Sequence, residues 1–156
     1  MTKIYTPTAA RKILANIAEG LARLKQVEQR SLAAYLADWK TMAITERYLT
    51  QIVNYSIDVN RFAFLLAQVP APDNYYDTFI ELGRLKVLPA RLAKQLAGTT
   101  AVRNRLEHEY DTIDHTRVYV LSKKAQPWFR SYIQHVSQWL DAHENGRLWA
   151  KEKPTD

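Results

Sequence analysis

An all-α fold, an up-and-down bundle of about five or six helices, is what this sequence predicts, and three observations carry that expectation. Apolar residues recur at intervals of three, four and seven along several long stretches. No segment sustains the apolar–polar alternation of a half-buried strand. The four glycines and six prolines fall mostly where the helical stretches begin or stop, the places where these residues cost a helix least.

The first helix is expected from Pro7, with Thr6 as its cap, to about Trp39, because Ile13, Ile17, Leu21, Leu24, Leu32, Tyr35 and Trp39 follow helical intervals. A second covers about Ile44 to Gln68, with Tyr48, Ile52, Tyr55, Val59, Ala63 and Leu66 on one face and Pro70 and Pro72 beyond its end. Asp73 is read as the cap of a short third helix over 74–82, stopped by Gly83 in the left-handed conformation. Pro89 opens a fourth, whose Leu92, Leu96 and Leu106 lead past Gly98-Thr99-Thr100, where a kink or weak turn is expected. The last segment begins near Asp114 or Thr116, is split by Pro127, and closes with Trp128, Phe129, Tyr132, Val136, Trp139 and Leu140 before Gly146. Helical periodicity alone accounts for these stripes, so they are assigned to the core and given no chemistry.

One domain over 1–156 is expected, with frayed tails at 1–5 and about 147–156, since no repeat, linker or low-complexity segment interrupts the chain. At 156 residues it can bury roughly two-thirds of its unfolded surface. The absence of cysteine excludes disulfides and thiolate metal sites. No signal-like segment opens the chain and no apolar run approaches the length of a membrane span, so a soluble, cytoplasmic protein is expected. The net charge of +6 is concentrated: residues 84 to 130 hold ten Lys and Arg against four Asp and Glu, and the rest balances twelve against twelve. Such a surplus attracts a polyanion, though a solvated basic face is the plainer reading.

Within that basic segment Arg103, Asn104, His108 and Tyr110 form the pattern R-x4-H-x-Y. Arginine supplies a permanent charge that can fork onto phosphate oxygens, and histidine exchanges protons near neutral pH. On an ideal helix Arg103 and Tyr110 lie nearly in line about 10 Å apart, whereas His108 points about 140° away from Arg103. A straight helix cannot aim both at one phosphate. Either the backbone bends between Gly98 and Asn104, or the same segment of a second copy completes the site across a two-fold axis, the arrangement favoured.

Residues 103–110 resemble the R-x4-H-x-Y signature of the HepT-like toxin branch of the HEPN superfamily. The likeness extends over about Ile44 to Leu140, through Ser56-Ile57-Asp58-Val59-Asn60, Leu82-Gly83 before Val87-Leu88-Pro89, and Tyr110-Asp111-Thr112-Ile113-Asp114-His115. The helix before Trp39 matches only in being helical. The resemblance implies a homodimeric helical endoribonuclease that cleaves without metal or other cofactor, acting as the toxin of a HEPN/MNT toxin–antitoxin pair. It makes Arg103 the phosphate-binding cation and His108 the general acid or base for attack by the ribose 2′-hydroxyl. Asn104 then supports either group or a phosphate oxygen. The products would be a 2′,3′-cyclic phosphate and a free 5′-hydroxyl, from transfer RNA or messenger RNA. Tyr110 would be the tyrosine that a nucleotidyltransferase antitoxin modifies with AMP, adding bulk and negative charge where RNA must sit. Glu107 departs from the pattern, standing where an apolar residue is common; it would raise the histidine pKa or weaken RNA approach.

Other readings of the same residues stay open. Arg103 and Glu107 are spaced for an i,i+4 ion pair on a solvated helix, with His108 and Tyr110 merely packing. The chain would then suit a non-catalytic partner that presents substrate or nucleotide to a nucleotidyltransferase. His108, Asp111 and His115 have offsets that suit a metal on one helix face, but no further ligand cluster accompanies them. His135 and His143 read as ordinary histidines on the closing helix, and Asp58 as an acid held by a structural hydrogen bond.

Overall fold

The computed structural model describes residues 6–144, and among these the chain is six α-helices and one 3-10 turn, without a strand. The expected tails at 1–5 and about 147–156, and the stop at Gly146, lie outside the described residues.

Helix α1, Pro7–Gln26, begins as read from the sequence: Thr6 Oγ1 accepts the Ala9 N–H at 3.0 Å and Pro7 occupies the first turn. It does not reach Trp39. Ser31 Oγ accepts the Ala34 N–H and starts α2, Leu32–Leu36; Asp38 then accepts from the Lys40 and Thr41 N–H groups and starts α3, Trp39–Ala67. Two capping side chains close together offer the backbone a better partner than a continued helix does, and they break what apolar spacing alone would join. Tyr35 is buried as expected, but Trp39 is 70% exposed.

Helix α3 ends at Gln68, which takes φ 59° so that its N–H reaches Leu65 O and the Val69 N–H reaches Phe64 O. Helix α4, Tyr75–Arg84, is capped by Asn74 rather than Asp73: Asn74 Oδ1 accepts the Asp77 N–H at 2.8 Å. Gly83 does not take the left-handed conformation. Lys86 does, at φ 60°, closing the helix through Lys86 N–H to Gly83 O and Val87 N–H to Leu82 O. Gly83 instead permits close approach, since a Cβ there would sit 3.0 Å from Ala93 Cβ in the next helix.

Helix α5, Ala90–His108, follows Pro89 as expected and continues through Gly98, with the Thr99 and Thr100 hydroxyls donating to the Leu96 and Ala97 carbonyls. It stops at His108, and residues Tyr110–Thr112 form the 3-10 turn. Helix α6, His115–Glu144, opens at Asp114, whose Oδ1 accepts the Arg117 N–H. Pro127 lies inside this helix instead of splitting it. The proline is exposed, while Ala125, Phe129 and Tyr132 around it are fully buried. Gln126 Nε2 donates to Leu21 O, and Lys123 Nζ to Glu28 and Gln29, so flanking anchors offset the lost backbone bond.

The helices form an up-and-down bundle with α3 at its centre: α1 packs along it most extensively, α6 lies against α1 and α3, and the α4–α5 pair closes the other side. Ile17, Leu21, Ile52, Phe62, Phe79, Leu96, Phe129 and Tyr132 are among the sealed core side chains, each contributing about 1.5–3 kcal/mol of gross burial energy. A buried polar chain runs through this core. Tyr132 O–H donates to Asn60 Oδ1 at 2.6 Å, Asn60 Nδ2 to Thr78 Oγ1 at 3.1 Å, and the Thr78 hydroxyl to the Tyr75 carbonyl at 2.7 Å. It ties α6, α3 and the start of α4 in one register. No described helix is long and apolar enough to cross a membrane.

Candidate active site

Three helix segments meet at the exit of α5: its last turns, one face of α3, and the first turn of α4. Between them lies a cavity of about 830 Å³ whose wall includes Arg61, Tyr75, Arg103, Asn104, Arg105 and His108. Arg103 and His108 therefore face one cavity within a single chain. Ideal helix geometry separates them by a wide angle, but α5 ends at His108, and the cavity wraps around that end instead of following one stripe. Neither a bend at Gly98 nor a second copy is required to bring the two groups to the same space.

Arg103 is only 8% exposed, and its guanidinium is anchored through two of its three nitrogens. Its Nε donates to Asn54 Oδ1 at 2.7 Å, and its Nη1 to Asn104 Oδ1 at 3.1 Å. Nη2 stands 3.9 Å from Glu107 Oε1, and the guanidinium carbon lies 5.0 Å from the centre of the Tyr75 ring. The i,i+4 pair with Glu107 thus exists, but it is long, and it coexists with the cavity-facing position. A guanidinium fixed on three sides has lost its rotamer freedom before any anion arrives, so little ordering cost remains for phosphate binding.

Glu107 turns toward α3, where its Oε1 accepts from Asn54 Nδ2 at 3.3 Å. Its carboxylate is engaged with the Asn54–Arg103 pair. Asn104 orients the arginine and leaves its own amide N–H groups without a partner among the described residues. His108, the last residue of α5, is exposed at the cavity mouth. Tyr110 follows in the 3-10 turn, and its side chain lies outside what the structure describes.

His115 does not join His108 and Asp111: it begins α6, and its Nδ1 sits 3.0 Å from Glu46 Oε1 on α3. Burial raises the Glu46 carboxyl above its ordinary value, and the imidazole opposes that rise. His143 stacks on Trp139 with ring centres 4.0 Å apart, and His135 is half-buried on α6. Asp58 is 8% exposed and makes no hydrogen bond among the described residues, contrary to the expected structural bond. Its burial raises the carboxyl, and nearby Arg61 opposes the rise.

Asn54, Arg61 and Tyr75 are the site residues that sequence reasoning missed. One signal was available: Asn54 and Arg61 are seven apart on α3 and share one helix face with Arg47, Gln51 and Asp58, a polar stripe on a helix whose other faces are largely apolar. Nothing in the sequence pairs that face with α5, because the meeting depends on how α4 folds back between them.

The chain is 36% identical over 122 residues, 77% of its length and 82% of the relative's, to a protein of Aphanizomenon flos-aquae (strain 2012/KM1/D3) named tRNA nuclease HepT. In fold it is similar to a crystal structure of a toxin–antitoxin with AMP-PNP, at TM-score 0.73 and 17% identity, over 81% of this chain and 96% of that one. It is also similar to a cytosolic protein of unknown function, YutE from Bacillus subtilis, at TM-score 0.75 and 16% identity over 99% of both chains. The family described as Ribonuclease HepT-like matches residues 17–136, a span that holds all three helix segments around the cavity, and the chain belongs to that HepT-like ribonuclease family.

Proposed function

We propose that this protein is the toxin of a HEPN/MNT toxin–antitoxin pair, an endoribonuclease that works without a metal. The observation that carries the reading is the shared cavity: a pre-fixed guanidinium and an exposed imidazole border one space whose wall also holds Arg61 and Arg105. Those are the parts that phosphodiester transfer to an internal hydroxyl needs. Arg103 binds the scissile phosphate and stabilises the charge that grows on its oxygens in the transition state. His108 takes the proton from the ribose 2′-hydroxyl as that oxygen attacks phosphorus, or returns a proton to the departing 5′-oxygen. The bond from phosphorus to the 5′-oxygen breaks, leaving a 2′,3′-cyclic phosphate and a free 5′-hydroxyl. In a homodimer two copies of the Arg103–His108 set serve one RNA, one imidazole as base and the other as acid.

Transfer RNA is the favoured substrate because the 36% identical relative is named a tRNA nuclease. A nucleotidyltransferase antitoxin that adds AMP to Tyr110 accounts for restraint of the enzyme, since Tyr110 lies two residues beyond His108 and a nucleotide there would crowd and repel RNA. The toxin–antitoxin of similar fold supports an antitoxin partner.

Labelled transfer RNA incubated with wild type and with His108→Ala in the presence of a chelator tests the reading. Cyclic-phosphate ends from the wild type, and their loss in the variant with RNA binding retained, are expected. Equal binding without cleavage by both proteins would favour the non-catalytic partner of a nucleotidyltransferase instead.

A further inference from the structure

Arg61 is a second cation on the same cavity, and its setting differs from that of an ordinary surface arginine. It is exposed on α3 and forms no ion pair among the described residues. Its guanidinium carbon lies 5.3 Å from the centre of the Tyr75 ring, the ring that Arg103 approaches at 5.0 Å. Two permanent positive charges thus share one aromatic side chain and stand no more than about 10 Å apart. Like charges gathered around one ring gain from the ring's electron-rich faces, and the second cation borders the cavity with no ion pair among the described residues, the buried Asp58 carboxyl acting on it only at longer range.

The spacer between them is rigid. Tyr75 is the first residue of α4, fixed at its carbonyl by Thr78 and through Thr78 to Asn60 and Tyr132 in the core, while Asn74 caps the same turn. Arg61 lies seven residues beyond Asn54, the side chain that holds Arg103 Nε, so one face of α3 carries both a support for the first cation and the second cation itself. The positions of the two guanidinium groups are set by the same helix and the same ring. The space also fits more than one group: about 830 Å³ is in the range of sites that enclose a whole organic ligand, far beyond the needs of a single phosphate. Acidic Asp73 and Glu109 border the cavity as well, without an ion pair to Arg61.

From these relations we infer that Arg61 is the phosphate-binding residue of a second subsite, holding the phosphate next to the scissile one on a single-stranded RNA segment, with Tyr75 as the positioning residue that spaces the two arginines. This assignment rests on the RNA-cleaving reading above. It gives the cavity a polarity: the bond to be broken lies at Arg103 and His108, and the flanking nucleotide extends along α3 toward Arg61. A strand with a phosphate on only one side of the cleaved bond would then use the site less well than a longer one.

Binding measured without turnover tests it. In a His108→Ala background, the affinity for a fluorescent single-stranded RNA of about eight nucleotides is followed across salt concentrations. Adding Arg61→Ala is expected to weaken binding about tenfold or more and to reduce the salt slope by about 0.7, the loss of one phosphate contact on a single strand. Arg61→Lys should restore most of the slope, because lysine still presents a charge. Tyr75→Ala should weaken binding where Tyr75→Phe does not. Lys12→Ala, exposed on α1 and away from the cavity, should leave both quantities unchanged. An unaltered slope in the Arg61→Ala protein, with Arg103→Ala clearly reducing it, would overturn the second subsite and leave the nuclease reading standing. Insensitivity to Arg103→Ala as well would remove RNA binding from this cavity and take the subsite with it.

Discussion

Asn54 Oδ1 on α3 accepts a 2.7 Å hydrogen bond from Arg103 Nε on α5, across 49 residues of sequence. That bond leaves the forked end of the guanidinium to face the cavity with its direction decided in advance. On the proposed function Asn54 is a positioning residue for phosphate binding, although it does not line the cavity itself.

Asn54→Ala should therefore damage catalysis more than it damages the fold. A hydrogen bond to a charged group is worth about 1.5–3 kcal/mol, so single-turnover cleavage of RNA is expected to slow about tenfold to a hundredfold. The thermal midpoint should fall as well, because the lost acceptor served an arginine that is only 8% exposed, so the rates are compared at temperatures where both proteins remain folded. Asn54→Gln, which keeps the acceptor at a longer reach, should recover part of the rate. Equal rates in wild type and Asn54→Ala would show that Arg103 finds its orientation without this bond.

The buried chain from Tyr132 through Asn60 to Thr78 makes a separate prediction about stability. Tyr132→Phe removes the donor to Asn60 Oδ1 in a region sealed from water, and the unsatisfied acceptor should cost about 1–3 kcal/mol in urea unfolding. Because the same chain fixes the Tyr75 carbonyl, RNA affinity should fall together with stability at temperatures where the variant remains folded. A variant as stable as wild type would mean that water replaces the lost hydroxyl.

Sequence reasoning reached some of these features and missed others for identifiable reasons. The all-α class, the Thr6–Pro7 start, the Pro89 start and the opening of α6 at Asp114 were legible because each rests on local chemistry: a side-chain acceptor, a fixed φ, an apolar spacing. The break between Gln26 and Trp39 was hidden, since Leu24, Leu32, Tyr35 and Trp39 keep helical spacing across it while Ser31 and Asp38 restart the backbone. Pro127 was read as a break because its local cost is plain and the tertiary anchors that offset it are not. Within the site, Arg103, Asn104 and His108 stood out as a motif. Asn54, Arg61 and Tyr75 did not, because their relevance arises only when α4 folds back against α3 and α5.

Asp58 provides a pH signature. Burial raises its carboxyl above the ordinary value, with Arg61 opposing. A carboxyl whose folded value is raised binds its proton more tightly in the native state, so its contribution is fully present below the unfolded value and is lost as pH climbs through the folded one. Asp58→Asn cannot ionise and should escape that loss. The difference in thermal midpoint between Asp58→Asn and wild type is expected to grow in favour of the variant from about pH 4 upward, then level off once the raised value is passed. A difference that shrinks with rising pH would mean that the ionised carboxylate stabilises the fold.

Gly83 and Lys86 yield opposite expectations from those that their residue types suggest. Gly83 has an ordinary helical backbone, so replacing it with alanine should on propensity alone gain about 1 kcal/mol. The new Cβ would meet Ala93 Cβ at 3.0 Å, and both atoms are rigidly attached to their backbones, so α4 and α5 must part. Net destabilisation is expected for Gly83→Ala in urea unfolding, relieved by Ala93→Gly in the same chain. Lys86 carries the left-handed φ of 60° that closes α4, a conformation costing a side-chain-bearing residue about 1–2 kcal/mol. Lys86→Gly should therefore raise the urea midpoint without changing the slope of the transition. If Gly83→Ala proved stabilising and Lys86→Gly destabilising, the close α4–α5 contact and the closure at Lys86 would both be wrong.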